Sequence, residues 1–235
     1  MAMLADLPRP LADNAIIERI FAAVMEHKLP PGAKLAENGL CEAFETSRAQ
    51  IRRVLVVLAG RGVVTLHPNR GAYVGSPSAT EAREVFEARR AIERSVVLST
   101  ATRIEEQTLD ELRANSRAGA AAEARGDLRE SIRLSGQFHI RLAEIAGNSV
   151  MTKYIEELVA RTSLIIGLYG SDRARTFSDA EHDTLLEALA AGEKQRAAEL
   201  MEAHLHHIEE ALDVRDPPTE PLDIRQILAG LNAEN

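Results

Sequence analysis

No tryptophan occurs in this 235-residue chain, and aromatic residues make up only 3% of it. Its core must therefore be aliphatic, and the dominance of alanine and leucine favours helices. A single cysteine, Cys41, excludes an intrachain disulfide framework. As a small apolar side chain it is expected in the core. No apolar run approaches the ~18 residues of a membrane span. The N-terminus lacks a basic segment followed by an apolar stretch, so no secretory leader is expected. These absences lead to the expectation of a cytoplasmic protein. Hydrophobic residues at 45% and charged residues at 27% fit a globular chain.

Acid is scarce in one place only. The chain carries a net charge of −8, yet residues 1–78 hold nine basic and seven acidic residues, while the remainder is net −10. Between Thr46 and Gly71 stand five arginines (Arg48, Arg52, Arg53, Arg61 and Arg70) and no acid. A basic stretch on an acidic protein is the electrostatic footprint of a polyanion-binding unit. Taken alone, such a run is more often a solvated face.

The pattern around the arginines decides between these. Asp13 is placed to cap an amphipathic helix carrying Ile16, Ile17, Ile20, Phe21 and Val24. Leu29-Pro-Pro-Gly32 ends it, and a short helix covers Glu37 to Phe44. Ser47 and Gln50 stand in capping-box register before a helix that runs to Ala59, with Ile51, Leu55 and Leu58 on one face. Val63–Leu66 and Ala72–Val74 then flank the turn-forming His67-Pro-Asn-Arg-Gly71, a β-hairpin. Helix, helix, turn, helix and hairpin make a winged helix-turn-helix over residues 1–75, with 1–12 a flexible tail. The third helix of such a unit enters the major groove by its N-terminal end. Arg48 and Arg52, four apart, share its outer face beside Arg53, and Arg70 sits at the hairpin tip. Arginine suits guanine edges and phosphates alike.

Three segments, Glu37-Asn-Gly-Leu-Cys-Glu-Ala-Phe, Thr46-Ser-Arg-Ala-Gln-Ile-Arg-Arg-Val-Leu and His67-Pro-Asn-Arg-Gly-Ala-Tyr-Val, resemble the DNA-binding signature of the GntR family. The resemblance implies that Arg48, Arg52 and Arg70 contact DNA and that Gly71 lets the wing approach it. Ser47, Gln50 and Arg53 complete the expected surface. Arg53 stands where the family often has an acid, adding positive charge there, and Asn38 stands where it often has an arginine.

Beyond a linker at 76–80, the chain to Val214 shows no strand signal. Ser78 and Glu81 form a second capping-box pair. Breaks separate helices near 81–101, 106–125, 127–146, 149–169, 178–191 and 193–213, with Ser178 and Glu181 capping the fifth. Residues 215–235, rich in proline, form a tail with room for one short helix. The fold expected is mainly α: a winged helix followed by an all-helical bundle of six or seven helices over 81–214.

Histidines mark that bundle. One inward stripe holds Leu128, Ile132, Ser135, His139, Leu142 and Ala146. A second holds His182, Leu185, Leu186 and Leu189, and a third Met201, His204, Leu205, Ile208 and Leu212; His206 faces water. Each histidine alone is ordinary in a core, but three on three helices can meet inside a bundle, as metal sites do.

Phe86-Glu-Ala-Arg-Arg-Ala-Ile-Glu, Phe138-His-Ile-Arg-Leu-Ala-Glu-Ile-Ala-Gly-Asn, Glu181-His-Asp-Thr-Leu-Leu-Glu-Ala-Leu and Met201-Glu-Ala-His-Leu resemble the FadR-type (FCD) effector domain of GntR regulators. The resemblance implies that His139, His182 and His204 bind a divalent metal, often zinc, in a cavity that also takes a carboxylate-bearing metabolite. Imidazole suits nickel as well. Metal-binding members usually carry an Asp where this chain has Ser135. A hydroxyl is a poor ligand, which leaves that position to water or the effector's carboxylate. Arg89 matches the effector-anion arginine; an ion pair with Glu93 or a dimer-interface contact are its alternatives. Arg161 is a second effector candidate.

The expected function is a homodimeric, ligand-responsive regulator, with repression the expected sense, that binds double-stranded DNA at a palindromic operator and a small carboxylate or sugar acid. A metal sensor with no organic effector is one alternative. A metal-dependent enzyme is another, disfavoured because the three histidine stripes carry no acid placed as a general base.

Overall fold

The computed structural model describes residues 12–170 and 178–213, and the side chains of all of these but 178–180. The expected tails, the short helix within 215–235 and the Ser178 side chain lie outside the described residues. In chain order the elements are α1(Asp13–Met25), β1(Lys34–Leu35), α2(Glu37–Ala43), α3(Arg48–Gly60), β2(Val64–His67), β3(Gly71–Val74), α4(Ala79–Thr100), α5(Glu106–Ala124), α6(Leu128–Ala146), α7(Ser149–Tyr169), α8(Ser178–Ala190) and α9(Lys194–Glu210).

Helices α1 and α3 bury Ile16, Ile17, Ile20 and Val24 against Ile51, Val54, Leu55 and Leu58. Ser47 caps α3 by accepting from the Gln50 amide at 3.3 Å. Asp13 is not the cap of α1. Ala12 takes that position without a side-chain bond, and Asp13 is the first helical residue, its carboxylate held by Arg53 instead. Cys41 is only half-buried, packed at the edge of the core rather than inside it. The wing is antiparallel, His67 facing Gly71 and Val64 facing Val74. Its tip turns through Asn69 at φ 60° and Gly71 at φ 93°, left-handed values that asparagine and glycine tolerate best. A third strand, β1, pairs with β3 through Lys34–Tyr73 and Leu35–Ala72, giving the order β1-β3-β2.

The remaining helices form a bundle in which α4 packs against α6, α7 and α9, and α8 against α5 and α9. Helix α4 begins at Ala79, inside the stretch expected as a linker, capped by Ser78 accepting from the Glu81 amide at 3.2 Å. The connection is tied down: Pro77 is buried and its carbonyl accepts from the Tyr169 hydroxyl at 2.9 Å. Helix α1 packs on α6 and α7, and one apolar core runs from Ile16 through Leu58 to Phe138 and Leu205. Helix α6 is buried on two sides. Leu134 and Phe138 enter the core, whereas Leu128, Ile132 and Ser135 are half-buried because they line a cavity. No described helix is long and apolar enough to cross a membrane.

Candidate functional site

His139 on α6, His182 on α8 and His204 on α9 are 2%, 1% and 3% exposed, and one ring nitrogen from each lies within 4.8 Å of the others. The three stripes do meet. Phe138 fixes the His182 ring by stacking at 3.9 Å between centroids, with 11° between planes.

Two carboxylates orient the other rings. Glu93 Oε2 accepts from His139 Nδ1 at 2.5 Å, and Glu181 Oε2 accepts from His204 Nδ1 at 2.7 Å. Each bond places the proton on Nδ1 and leaves an Nε2 lone pair for the centre, the arrangement that carboxylates impose on metal-bound histidine. His182 Nε2 lies 3.3 Å from His204 Nε2. Tetrahedral nitrogens ~2.0–2.1 Å from zinc stand roughly that far apart. His139 Nε2 is buried with no hydrogen-bond partner among the described residues. An orphaned acceptor beside two others fits a divalent cation, and the residues present fit the group.

Glu181 is half-shared: its other oxygen accepts from the exposed His207 at 2.6 Å. Both imidazole-bound carboxylates are absent from the residues that spacing and resemblance select as site residues. Their signal was available. Glu93 lies on the buried face of α4 with Val85, Phe86, Arg89, Val96 and Val97, a carboxylate among apolar neighbours.

Arg89 and Glu93 form the ion pair weighed as an alternative, Nε to Oε1 at 2.6 Å, both nearly inaccessible. The pair does not consume the guanidinium, for Arg89 Nη2 is buried and has no partner among the described residues. Glu93 thus links a cation to an imidazole. Burial pushes its carboxyl up, but the Arg89 charge and then His139 outweigh that and hold it at about 2. Burial lowers His139 to about 4 despite the opposing pull of Glu93, and it lowers His182 well below the usual histidine range, helped by the neighbouring imidazoles. His139 and His182 are therefore neutral at pH 7, as metal ligands must be.

A cavity of about 50 Å³ adjoins this cluster, lined by Arg89, Ser135, His139, Ser131, Thr162 and Ser163 among others. Ser135 faces this space rather than the packed interior, beside His139 on the same wall. Arg161 is not brought to it. Its Nη2 pairs with Glu81 at 2.8 Å, and its Nε lies against Gly62, between the winged unit and the start of α4.

On the winged unit, Arg48 begins α3, and Arg48 and Arg70 are exposed without an ion-pair partner among the described residues. Arg52 is paired with Glu37 at 2.9 Å and Arg53 with Asp13 at 3.0 Å. The extra positive charge expected from Arg53 is thus partly offset by the first residue of α1. Gln50 is held by the Thr46 hydroxyl.

Residues 12–74 match the family described as bacterial regulatory proteins, gntR family, and residues 84–207 match the FCD domain. The chain is 32% identical over 148 residues to the HTH-type transcriptional repressor RspR of Escherichia coli (strain K12), covering 63% of this chain and 65% of RspR. It is 25% identical over 207 residues to the HTH-type transcriptional regulator LutR of Bacillus subtilis (strain 168), covering 79% of this chain and 94% of LutR. Among solved structures, a transcriptional regulator GntR from Rhodococcus sp. RHA1 matches with a TM-score of 0.73 at 22% identity, over 84% of this chain and 95% of that one. E. coli McbR/YncC matches with 0.70 at 18% identity, over 95% and 98%. At such identities these two likenesses show the fold alone.

Proposed function

Because the chain belongs to the GntR family of bacterial regulatory proteins and carries an FCD domain behind its winged helix, we propose that it is a cytoplasmic, homodimeric repressor whose grip on a palindromic operator responds to a small carboxylate. The family and its named relatives are regulators of transcription, which sets the enzyme alternative aside. The coarse function rests on the family. The finer reading rests on one observation: Arg89 and His139 line the same cavity, and each has a buried nitrogen, Nη2 and Nε2, with no partner among the described residues.

Orphaned buried polar groups cost stability unless something satisfies them. An acid could accept two parallel bonds from a guanidinium. His139, His182 and His204 would hold a divalent metal, zinc in preference and nickel as an alternative, which when bound supplies a Lewis-acidic anchor for a carboxylate. Ser131, Ser135, Thr162 and Ser163 line the same space, hydroxyls suited to an acid that itself carries hydroxyls, such as a sugar acid.

At the other end, Arg48, Arg52 and Arg70 contact DNA, with Ser47 and Gln50 at the head of α3, Arg53 beside them and Gly71 at the wing. Exposed ion pairs contribute little and exchange readily. Glu37 and Asp13 can therefore release Arg52 and Arg53 to phosphate or guanine. The test is Arg48→Ala with Arg52→Ala against a duplex that the unaltered chain selects from a randomised pool. Binding should fall by roughly a hundredfold or more. Retained affinity would overturn the recognition-helix assignment.

A further inference from the structure

The cavity beside the histidines has a wall that does not belong to the helical bundle. Met25, the last residue of α1, lines it together with Arg89, Ser135 and His139, and is only 5% exposed. The contact is close by construction. Gly136 on α6 leaves a gap in which a β-carbon would lie 2.8 Å from Met25 Cε and 2.9 Å from Val159 Cγ1. Only glycine allows the thioether to reach that depth.

The chain just after Met25 is pinned to α7. Ser163 Oγ donates to the Met25 carbonyl at 3.1 Å, and His27 Nε2 donates to the Ser163 carbonyl at 2.9 Å. The His27 ring packs over Gly167, where a β-carbon would meet Cε1 at 3.2 Å. His27 itself sits at φ 52°, a left-handed value that a non-glycine residue holds only when its surroundings impose it. Ser163 is both a cavity-lining residue and the anchor of this turn.

Volume then decides what an occupant must do. About 50 Å³ holds a few waters. Ligand sites typically measure several hundred Å³. An occupant that enters with more than this volume must displace a wall, and the candidates differ in stiffness. Val159 is β-branched and locked within a helix, and Arg89 is tied to Glu93. Met25 has an unbranched, rotatable side chain. The geometry points to Met25 as the residue through which an occupant of the histidine cavity displaces the end of α1, and so the DNA-reading unit. Displacement reaches the reader directly, because α1 packs along α3. This inference rests on the sensing function proposed above; it adds the element that transmits the signal.

Gly136→Ala tests it by building a methyl group where an occupant would press. In the full chain, hydrogen exchange should accelerate roughly fivefold or more at the Glu26, His27 and Leu29 amides, which donate to Ala22, Val24 and Ala23. Affinity for the selected duplex should change by a comparable factor. Adding Met25→Ala removes the nearer of the two colliding atoms, leaving Val159 Cγ1, and should restore both readouts in part. Ser163→Ala, which deletes only a hydroxyl, should speed exchange at the same amides. Unaltered exchange and DNA affinity in Gly136→Ala, or a double variant that restores neither, overturns the inference. Zinc uptake by the wild-type chain separates the two readings. If zinc binds and Gly136→Ala is silent, transmission through Met25 fails alone. If neither zinc nor a panel of organic and sugar acids binds, the sensing function fails and the inference with it.

Discussion

The winged unit and the helical unit both set arginines against carboxylates, but in opposite surroundings. On the winged unit Arg52–Glu37 and Arg53–Asp13 lie open to solvent, their side chains 66% and 61% exposed on the arginine side. In the helical unit Arg89–Glu93 is 3% and 2% exposed and continues to His139. Water screens the first kind of pair, so each is loose and exchangeable. The second kind was removed from water at considerable expense, and each member compensates the next. The difference suits two tasks. A surface that must trade carboxylates for phosphates needs weak partners, whereas a site that must present fixed ring nitrogens needs partners that cannot leave.

Breaking the interior chain should have the largest effect. Glu93→Ala leaves Arg89 buried without its anion, and loss of one partner from a buried pair costs roughly 3–5 kcal/mol. Urea unfolding should show this directly; a loss no larger than that of a surface substitution would mean the pair is not buried in solution. Glu93→Gln, which keeps the size and one acceptor, should lose less.

Acid sharpens the same contrast. In metal-free protein, His139 has a folded value of about 4 against an ordinary 6.5. The unfolded chain then binds more protons between those values, so stability falls as pH drops through that window, by on the order of 3 kcal/mol. Glu93, at about 2 against 4.5, contributes stability that is lost below about pH 4.5, in the same direction. Urea midpoints should decline steadily from about pH 7 to about pH 4.5. A flat profile would remove the buried neutral imidazole from the account.

Two smaller effects belong to the surface. Ser47→Ala deletes the α3 cap and should cost about 1 kcal/mol by the same urea measurement. Arg53→Ala should leave the unfolding midpoint unmoved, because its partner Asp13 is itself exposed, while affinity for the selected duplex drops. A clear shift in midpoint would show that the Arg53–Asp13 pair is structural.

Much of this was legible in sequence wherever the signal is local. Ser47 and Gln50 mark the start of α3 because a cap is read within four residues, and the breaks between bundle helices fall within a few residues of their observed ends. The three histidines are found because each occupies an apolar stripe. What escaped depends on distance along the chain. The Glu93–His139 bond joins residues 46 apart, and no periodicity reveals which partner a buried carboxylate meets. Strand β1 spans two residues, too few for alternation to register, and exists only because β3 offers it an edge. Arg161 looked like an anion ligand by its type, but the packing of α7 on the winged unit sends it to Glu81 and Gly62. Asp13 has the side chain of a cap, but the helix already begins at Asp13, so the extended cap position falls to Ala12.

Zinc titration by calorimetry, on the wild-type chain and on His182→Ala, tests the central claim most directly. His182 makes no carboxylate bond among the described residues, so its loss removes a ligand while sparing the Glu93 and Glu181 contacts. The account predicts about one zinc per wild-type chain, with a rise in thermal midpoint, and markedly weaker uptake by the variant. Equal uptake by both, or none by the folded wild-type chain, would contradict it.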